Sequence, residues 1–151
     1  MELGYWNKLD TGELRYTSLS DSGRIQFVED EQIWNIISFD KWVLFQSLNN
    51  IYIYDSELES FNTIKSQSKI TKSFLLDDGR IFYQDLNFGL FEIKNGKSKL
   101  VATLETLSNE VIIDVFEDAD NYVLLTQNRG FFYLNSKTKK ISTWDLSLIH
   151  I

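Results

Sequence analysis

The chain lacks cysteine and proline altogether, and its 151 residues hold one histidine and one methionine. Without cysteine there is no disulfide framework, no thiolate metal site and no cysteine nucleophile, and the redox compartment stays undetermined. The single histidine, His150, sits in the last few residues, so neither a Ser-His-Asp arrangement nor a histidine metal cluster can be assembled. Its seven glycines are isolated turn residues, and no phosphate-cradling glycine loop exists. No apolar run approaches the roughly 18 residues of a membrane-spanning helix. Met1-Glu2-Leu3-Gly4 shows no basic segment ahead of an apolar stretch, so no secretory signal is visible. Positive charge is scarce. The net charge is −7, and only Lys137, Lys139 and Lys140 lie close together. A solvated hairpin turn accounts for them better than a phosphate-binding patch, so nucleic acid is not an expected partner.

What is abundant is aromatic and aliphatic side chain. Hydrophobic residues make up 43% and aromatic residues 15%, enough for a packed core and well suited to strands. They fall into a repeat. Trp42-Val43-Leu44-Phe45-Gln46 precedes Ile51-Tyr52-Ile53-Tyr54. Ile81-Phe82-Tyr83-Gln84 precedes Leu90-Phe91-Glu92-Ile93, and Tyr122-Val123-Leu124-Leu125-Thr126 precedes Phe131-Phe132-Tyr133-Leu134. Val43, Ile81 and Val123 are spaced by 38 and 42 residues. A period near 40 residues with several short strands per unit is the signature of a β-propeller blade.

Each unit reads as two hairpins. The first turns at Asp40-Lys41, Asp77-Asp78-Gly79 or Glu117 to Asn121. The second turns at Asp55-Ser56-Glu57, Asn95-Gly96-Lys97 or Asn135-Ser136-Lys137, of which Asn95-Gly96 is the strong tight-hairpin signal. The middle strands are apolar at consecutive positions, as in sheets covered on both faces, and the last strand of each unit is more polar, as at an outer rim. The expected fold is all-β: a partial β-propeller of about three and a half four-stranded antiparallel blades in an open arc. The expected divisions are a half blade over 1–20, blades over 31–64, 69–104 and 109–144, and a tail over 147–151. That tail continues no unit and resembles translated sequencing adapter; the start of another strand is the alternative. One stretch argues otherwise. Leu100, Leu104, Leu107 and Val111 form a helical stripe. The repeat places strands there, and the repeat takes precedence.

Asp77-Asp78-Gly79-Arg80-Ile81-Phe82 and Thr126-Gln127-Asn128-Arg129-Gly130-Phe131-Phe132-Tyr133-Leu134-Asn135-Ser136-Lys137-Thr138 resemble the two-component-regulator propeller repeat, with its acidic-Gly turn, its strand, its Asn-Gly turn and its closing hairpin. The stretch from Trp34 through Tyr54 resembles bacterial sensor proteins whose propeller precedes a triple-tyrosine-motif domain and a helix-turn-helix or kinase output. The repeat's strand threonine stands at Thr126 and is replaced by Gln46 and Gln84. The resemblance covers about residues 3–144. It implies a ligand-sensing domain in the periplasm or on the exterior of the cell envelope. It also implies further blades of the parent chain as neighbours, and a chain that is one piece of that domain.

No catalytic residue, metal ligand or cofactor site stands out. Asp118-Ala119-Asp120-Asn121 has the opening rhythm of a calcium loop without its glycine and distal glutamate, and a plain turn explains it better. Asp114 interrupts an apolar inner strand; the residues level with it in the other units, Ile36 and Ser73, are not acidic, so a structural role is the leading reading and ligand contact the second. The turns after each second strand carry Asn50, Phe88, Asn128 and Arg129, which a blade would project to one end of the disc. Amides, one aromatic and one guanidinium suit a sugar or a carboxylated ligand, although turn chemistry alone explains the same residues. Two rival functions stay open: a protein-interaction propeller, and part of a polysaccharide-active propeller enzyme, for which a facing carboxylate pair is missing.

Overall fold

The computed structural model describes residues 1–21, 23, 25–28 and 30–144. The expected tail over 147–151, His150 included, lies outside them. Every regular element among the described residues is a strand, and every pairing is antiparallel. The first sheet pairs β1 (Gly4–Lys8) with β2 (Leu14–Ser18). Three four-stranded meanders follow. Blade 1 comprises β3 (Asn35–Phe39), β4 (Trp42–Gln46), β5 (Asn50–Asp55) and β6 (Ser60–Lys65). Blade 2 comprises β7 (Ile70–Leu75), β8 (Ile81–Asp85), β9 (Gly89–Lys94) and β10 (Lys97–Thr103). Blade 3 comprises β11 (Ile112–Asp118), β12 (Asn121–Thr126), β13 (Gly130–Leu134) and β14 (Ile141–Thr143).

In each blade the strands pair in chain order, and the first strands β3, β7 and β11 lie side by side as the inner wall. The second and third strands carry the burial: all of β5 and all of β8 are buried. This is the doubly covered state that continuous apolar runs require. Three core clusters result, one between the β1–β2 sheet and blade 1, one between blades 1 and 2, and one running through blades 2 and 3. The fold is a partial β-propeller, as the repeat implies.

The helical stripe over 99–112 finds a local explanation. β10 ends at Thr103, whose hydroxyl accepts the Thr106 amide at 3.1 Å. The Leu107 amide then donates to the Thr103 carbonyl at 3.0 Å, closing one helical turn. Nested bonds from Asn109 to Leu104 and from Ser108 to Glu105, both 2.9 Å, with left-handed backbone at Ser108 and Asn109, end it at once. That is a helix C-terminus without a helix. Leu107 is swung into the core, fully buried. The Asn95-Gly96 hairpin takes positive φ at both residues, 51° and 70°, the two-residue turn that the dipeptide favours.

The pairing registers correct one detail of the repeat. Each strand 2–strand 3 turn is closed by a terminal pair: Ser47 bonds Asn50, Asp85 pairs with Gly89, and Thr126 pairs with Gly130. Thr126 is therefore level with Ser47 and Asp85, not with Gln46 and Gln84. Counting back, Tyr122 stands where Ile81 and Val43 stand, and Asp114 stands where Asn35 stands.

Candidate functional site

The meander sends the strand 2–strand 3 turns and the blade-to-blade links to one end of the arc. The strand 1–strand 2 and strand 3–strand 4 turns go to the other.

At the first end, polar side chains hold the turns together. Ser47 Oγ accepts the amides of Asn49 at 3.2 Å and Asn50 at 2.9 Å. Asp85 accepts the amides of Asn87 at 2.9 Å and Ser68 at 3.0 Å, with hydroxyls from Ser66 and Ser68 added. Thr126 Oγ1 accepts the Arg129 amide and donates to the Gly130 carbonyl. A second acid supports two of these turns. Glu31 accepts from Ser47, Tyr52 and the Asn50 amide group. Glu110 accepts the Asn128 amide at 2.9 Å and stands 3.9 Å from Arg129 Nε.

These bonds settle the titration of half-buried Glu31 and buried Asp85. Burial pushes the carboxyls of Glu31 and Asp85 up, but donated hydrogen bonds outweigh it and hold both below the usual carboxylate range. Burial and the Glu31 carboxylate together push the Tyr52 phenol well up.

The sequence-derived candidates distribute accordingly. Asn50 is buried and its amide group is spent on Glu31. Phe88, Asn128 and Arg129 are exposed at the turn tips of blades 2 and 3. Asn49 and Asn87 do meet across a shallow groove of about 480 Å³, together with Lys65 and Lys69. Asp114 is half-buried on β11 and accepts its neighbour Val115's amide at 2.9 Å. Its counterparts explain the position: Asn35 donates to the Ser73 carbonyl at 3.2 Å and Lys72 to the Ile113 carbonyl at 3.1 Å, each reaching the next blade's inner strand. Asp114 occupies a blade-stitching position.

The opposite end holds the larger cavity, and the sequence reading missed it. A cleft of about 540 Å³ opens between blades 1 and 2. Trp42, Phe39, Leu44, Ile53, Ile81 and Ile93 give it apolar walls, and Asp55, Ser60, Asn62, Asn95 and Lys97 give it polar groups. Its cause is legible in the register. Between blades 2 and 3, Phe82 meets Tyr122 edge-on at 5.1 Å, with the Arg80 guanidinium 4.7 Å from the Tyr122 ring. The same two positions between blades 1 and 2 are Leu44 and Ile81. Two aliphatic side chains stand where two rings would close the gap.

Asp55 is the chemically distinctive wall residue. It is 2% exposed. Its Oδ1 accepts the amides of Glu57 at 2.9 Å and Leu58 at 3.1 Å, while Oδ2 has no hydrogen-bond partner and lies 3.6 Å from Lys41 Nζ. Burial pushes this carboxyl up; the two amides and the Lys41 ammonium outweigh it and keep it ionised. Two carboxylates do approach each other: Asp78 and Glu117, across blades 2 and 3, both beside Arg80, which stands 3.7 Å from Glu117. Glycosidase carboxyls stand about 5 Å apart or more, with the bond to be cut between them, so this contact is not such a pair.

No family model matches the chain, and no curated protein does. Solved structures do. The extracellular domain of a B. thetaiotaomicron protein named as a one component system superposes on 91% of this chain with a TM-score of 0.56 and 16% identity. The extracellular domain of a hybrid two component system from the same organism superposes on 93% with a TM-score of 0.61 and 11% identity. The likeness is one of fold. The chain spans only 21% and 24% of those two structures.

Proposed function

We propose that this chain is an arc of the ligand-sensing propeller of a bacterial signalling regulator, working on the periplasmic or outer side of the membrane. The observation that carries the reading is the succession of blades, which shares its fold over nine-tenths of the chain with two extracellular domains of B. thetaiotaomicron regulators. The repeat resemblance points the same way. In such a sensor the propeller supplies a rigid scaffold, and the ligand, a sugar or another small polar molecule, changes the balance between two arrangements of the receptor. The further blades of the parent chain would cover the faces that blade 3 and the β1–β2 sheet leave open. Sequencing the DNA that flanks this reading frame tests the assignment. A downstream transmembrane helix followed by a helix-turn-helix or kinase domain is the expected result. A stop codon soon after the last blade, with no output domain, contradicts it.

A further inference from the structure

The cleft between blades 1 and 2 is a built space. Two side chains of blade 1 lean across it onto glycines of blade 2. The Phe39 ring lies against Gly79, and Asn62 Nδ2 donates to the Gly96 carbonyl at 2.6 Å. A Cβ on Gly79 would strike the Phe39 ring, and one on Gly96 would strike the Asn62 amide. Phe39 belongs to the innermost strand of its blade and Asn62 to the outermost, so the junction is clasped on both sides of the opening. Blade 3 has no glycine in either corresponding turn, so the filled junction cannot be clasped in this way. The volume of the cleft falls in the range of small-molecule sites, about 300–1,000 Å³, and both blades that form it are complete within this chain.

The lining sets the chemistry of an occupant. Leu44, Ile53, Ile81 and Ile93 make walls for an apolar body, and Trp42 and Phe39 add ring surface, against which another ring gains more than area alone. Two lining residues carry charge. Asp55 is buried and its carboxylate is ion-paired with Lys41 at 3.6 Å, so it presents nothing to an occupant. Lys97 is exposed and has no acid partner among the described residues. Ser60 and Asn95 are exposed as well, and their side chains make no hydrogen bond among those residues. The accessible polar rim is therefore cationic and rich in donors. An amine meets like charge there, and a wholly apolar molecule leaves the donors to water. A carboxylate carried on an aromatic body matches both parts, through a charge-assisted hydrogen bond to Lys97. The net charge of −7 opposes an anion at a distance, but salt screens it beyond about 8 Å at physiological ionic strength.

We propose that this cleft binds a small aromatic carboxylate, its ring between the apolar walls beside Trp42 and its carboxylate on Lys97 and Asn95. The proposal deepens the sensor reading by naming the small polar molecule left open there, and rests on that reading for the expectation of a small ligand. It sets the ligand at the end of the arc opposite Asn128 and Arg129.

Ligand-observed NMR titration of the whole chain tests it with phenylacetate and indole-3-acetate. Phenylacetamide serves as the neutral twin and phenethylamine as the cationic one. Ligands of about ten heavy atoms reach millimolar affinity or somewhat better, so the titration runs to about 20 mM. At least one carboxylate should bind, phenylacetate about threefold or more tightly than its amide, with the amine weakest. Lys97→Glu, at an exposed position, should reverse that order and put the amine above the carboxylate. Leu44→Phe/Ile81→Tyr, which copies the rings that close the next junction, should abolish binding of carboxylate and amide alike. Should that variant fail to fold, Lys97→Glu still decides. Lys65→Gln/Lys69→Gln, at the groove on the opposite end, should change nothing. Four results each overturn the proposal: no carboxylate binds; phenylacetate and phenylacetamide bind equally; carboxylate binding survives Lys97→Glu; or it is lost in Lys65→Gln/Lys69→Gln. The flanking sequence tests the sensor reading separately.

Discussion

The two junctions between blades are built from the same strand positions and differ in how they are filled. Between blades 2 and 3 the interface is filled: Phe82 against Tyr122, Arg80 over the ring, and Gln84 buried completely, its amide donating to the Glu110 carbonyl and accepting the Ile112 amide, both at 2.8 Å. Between blades 1 and 2, Leu44 and Ile81 leave a cleft, and Gln46 makes a single bond of 2.8 Å from the Ser73 hydroxyl. The backbone frame is common to both. Side-chain volume at two positions decides whether a junction is structural or hollow, so a repeat architecture can hold a ligand site at one interface without altering its neighbours.

The largest expected effect lies in the core of the filled junction. Phe82→Ala should destabilise by about 3–5 kcal/mol, and Leu44→Ala by about 2 kcal/mol, because Leu44 already borders open volume. Denaturant unfolding of both variants checks this; equal losses would erase the contrast. Next come the two glutamines. Gln84→Leu orphans two buried backbone groups, at about 1–3 kcal/mol each, whereas Gln46→Leu orphans only the Ser73 hydroxyl, at about 1 kcal/mol. Thermal melts of the pair should rank them in that order.

Acid should act on the end where the turns are braced. Glu31 and Asp85, with Asp55 at the cleft, have carboxyls held below the usual range, so the unfolded chain binds more protons than the folded one as pH drops. Their contribution is fully present above the ordinary carboxylate range of about 4 and fades below it. Glu117, raised by burial and by Asp78, works in the opposite sense, but it is one group against five, since Glu2 and Asp78 are held low as well. A melting temperature that is level from neutral pH down to about pH 5 and falls below about pH 4 is expected; a rise in acid contradicts the bracing role. The smallest effect belongs to Arg80→Ala, which removes partly exposed ion pairs to Asp78 and Glu117 and a cation–ring contact, together about 0.5–1 kcal/mol.

The blades were legible in the sequence because two signals converged. The 40-residue period located the units, and the unbroken apolar runs at Leu44–Phe45 and Ile81–Tyr83 required cover on both faces. The exact level of blade 3 was not legible, since Thr126 can be matched either to Gln84 or to Asp85, and only strand pairing chooses. The candidate site residues were read from a related signal. Asn50 and Asp114 look functional because they are polar among apolar neighbours, yet one is tied to Glu31 and the other stands at a blade-stitching position. The cleft left its trace only as Leu44 and Ile81, ordinary core residues until the register sets them beside Phe82 and Tyr122. Asp55 reads from sequence as a turn residue, which its Oδ1 is; nothing in the sequence says that Oδ2 is buried beside Lys41.

A double-mutant cycle on Phe82 and Tyr122 tests the account most directly. These residues lie in separate sheets and meet only if the blades stack face to face in the register described. Truncating each alone and both together should yield a coupling of about 0.5–1.5 kcal/mol, the range for paired rings. Strict additivity of the two truncations would mean that the rings do not touch, and the stacked-blade account would fall with that result.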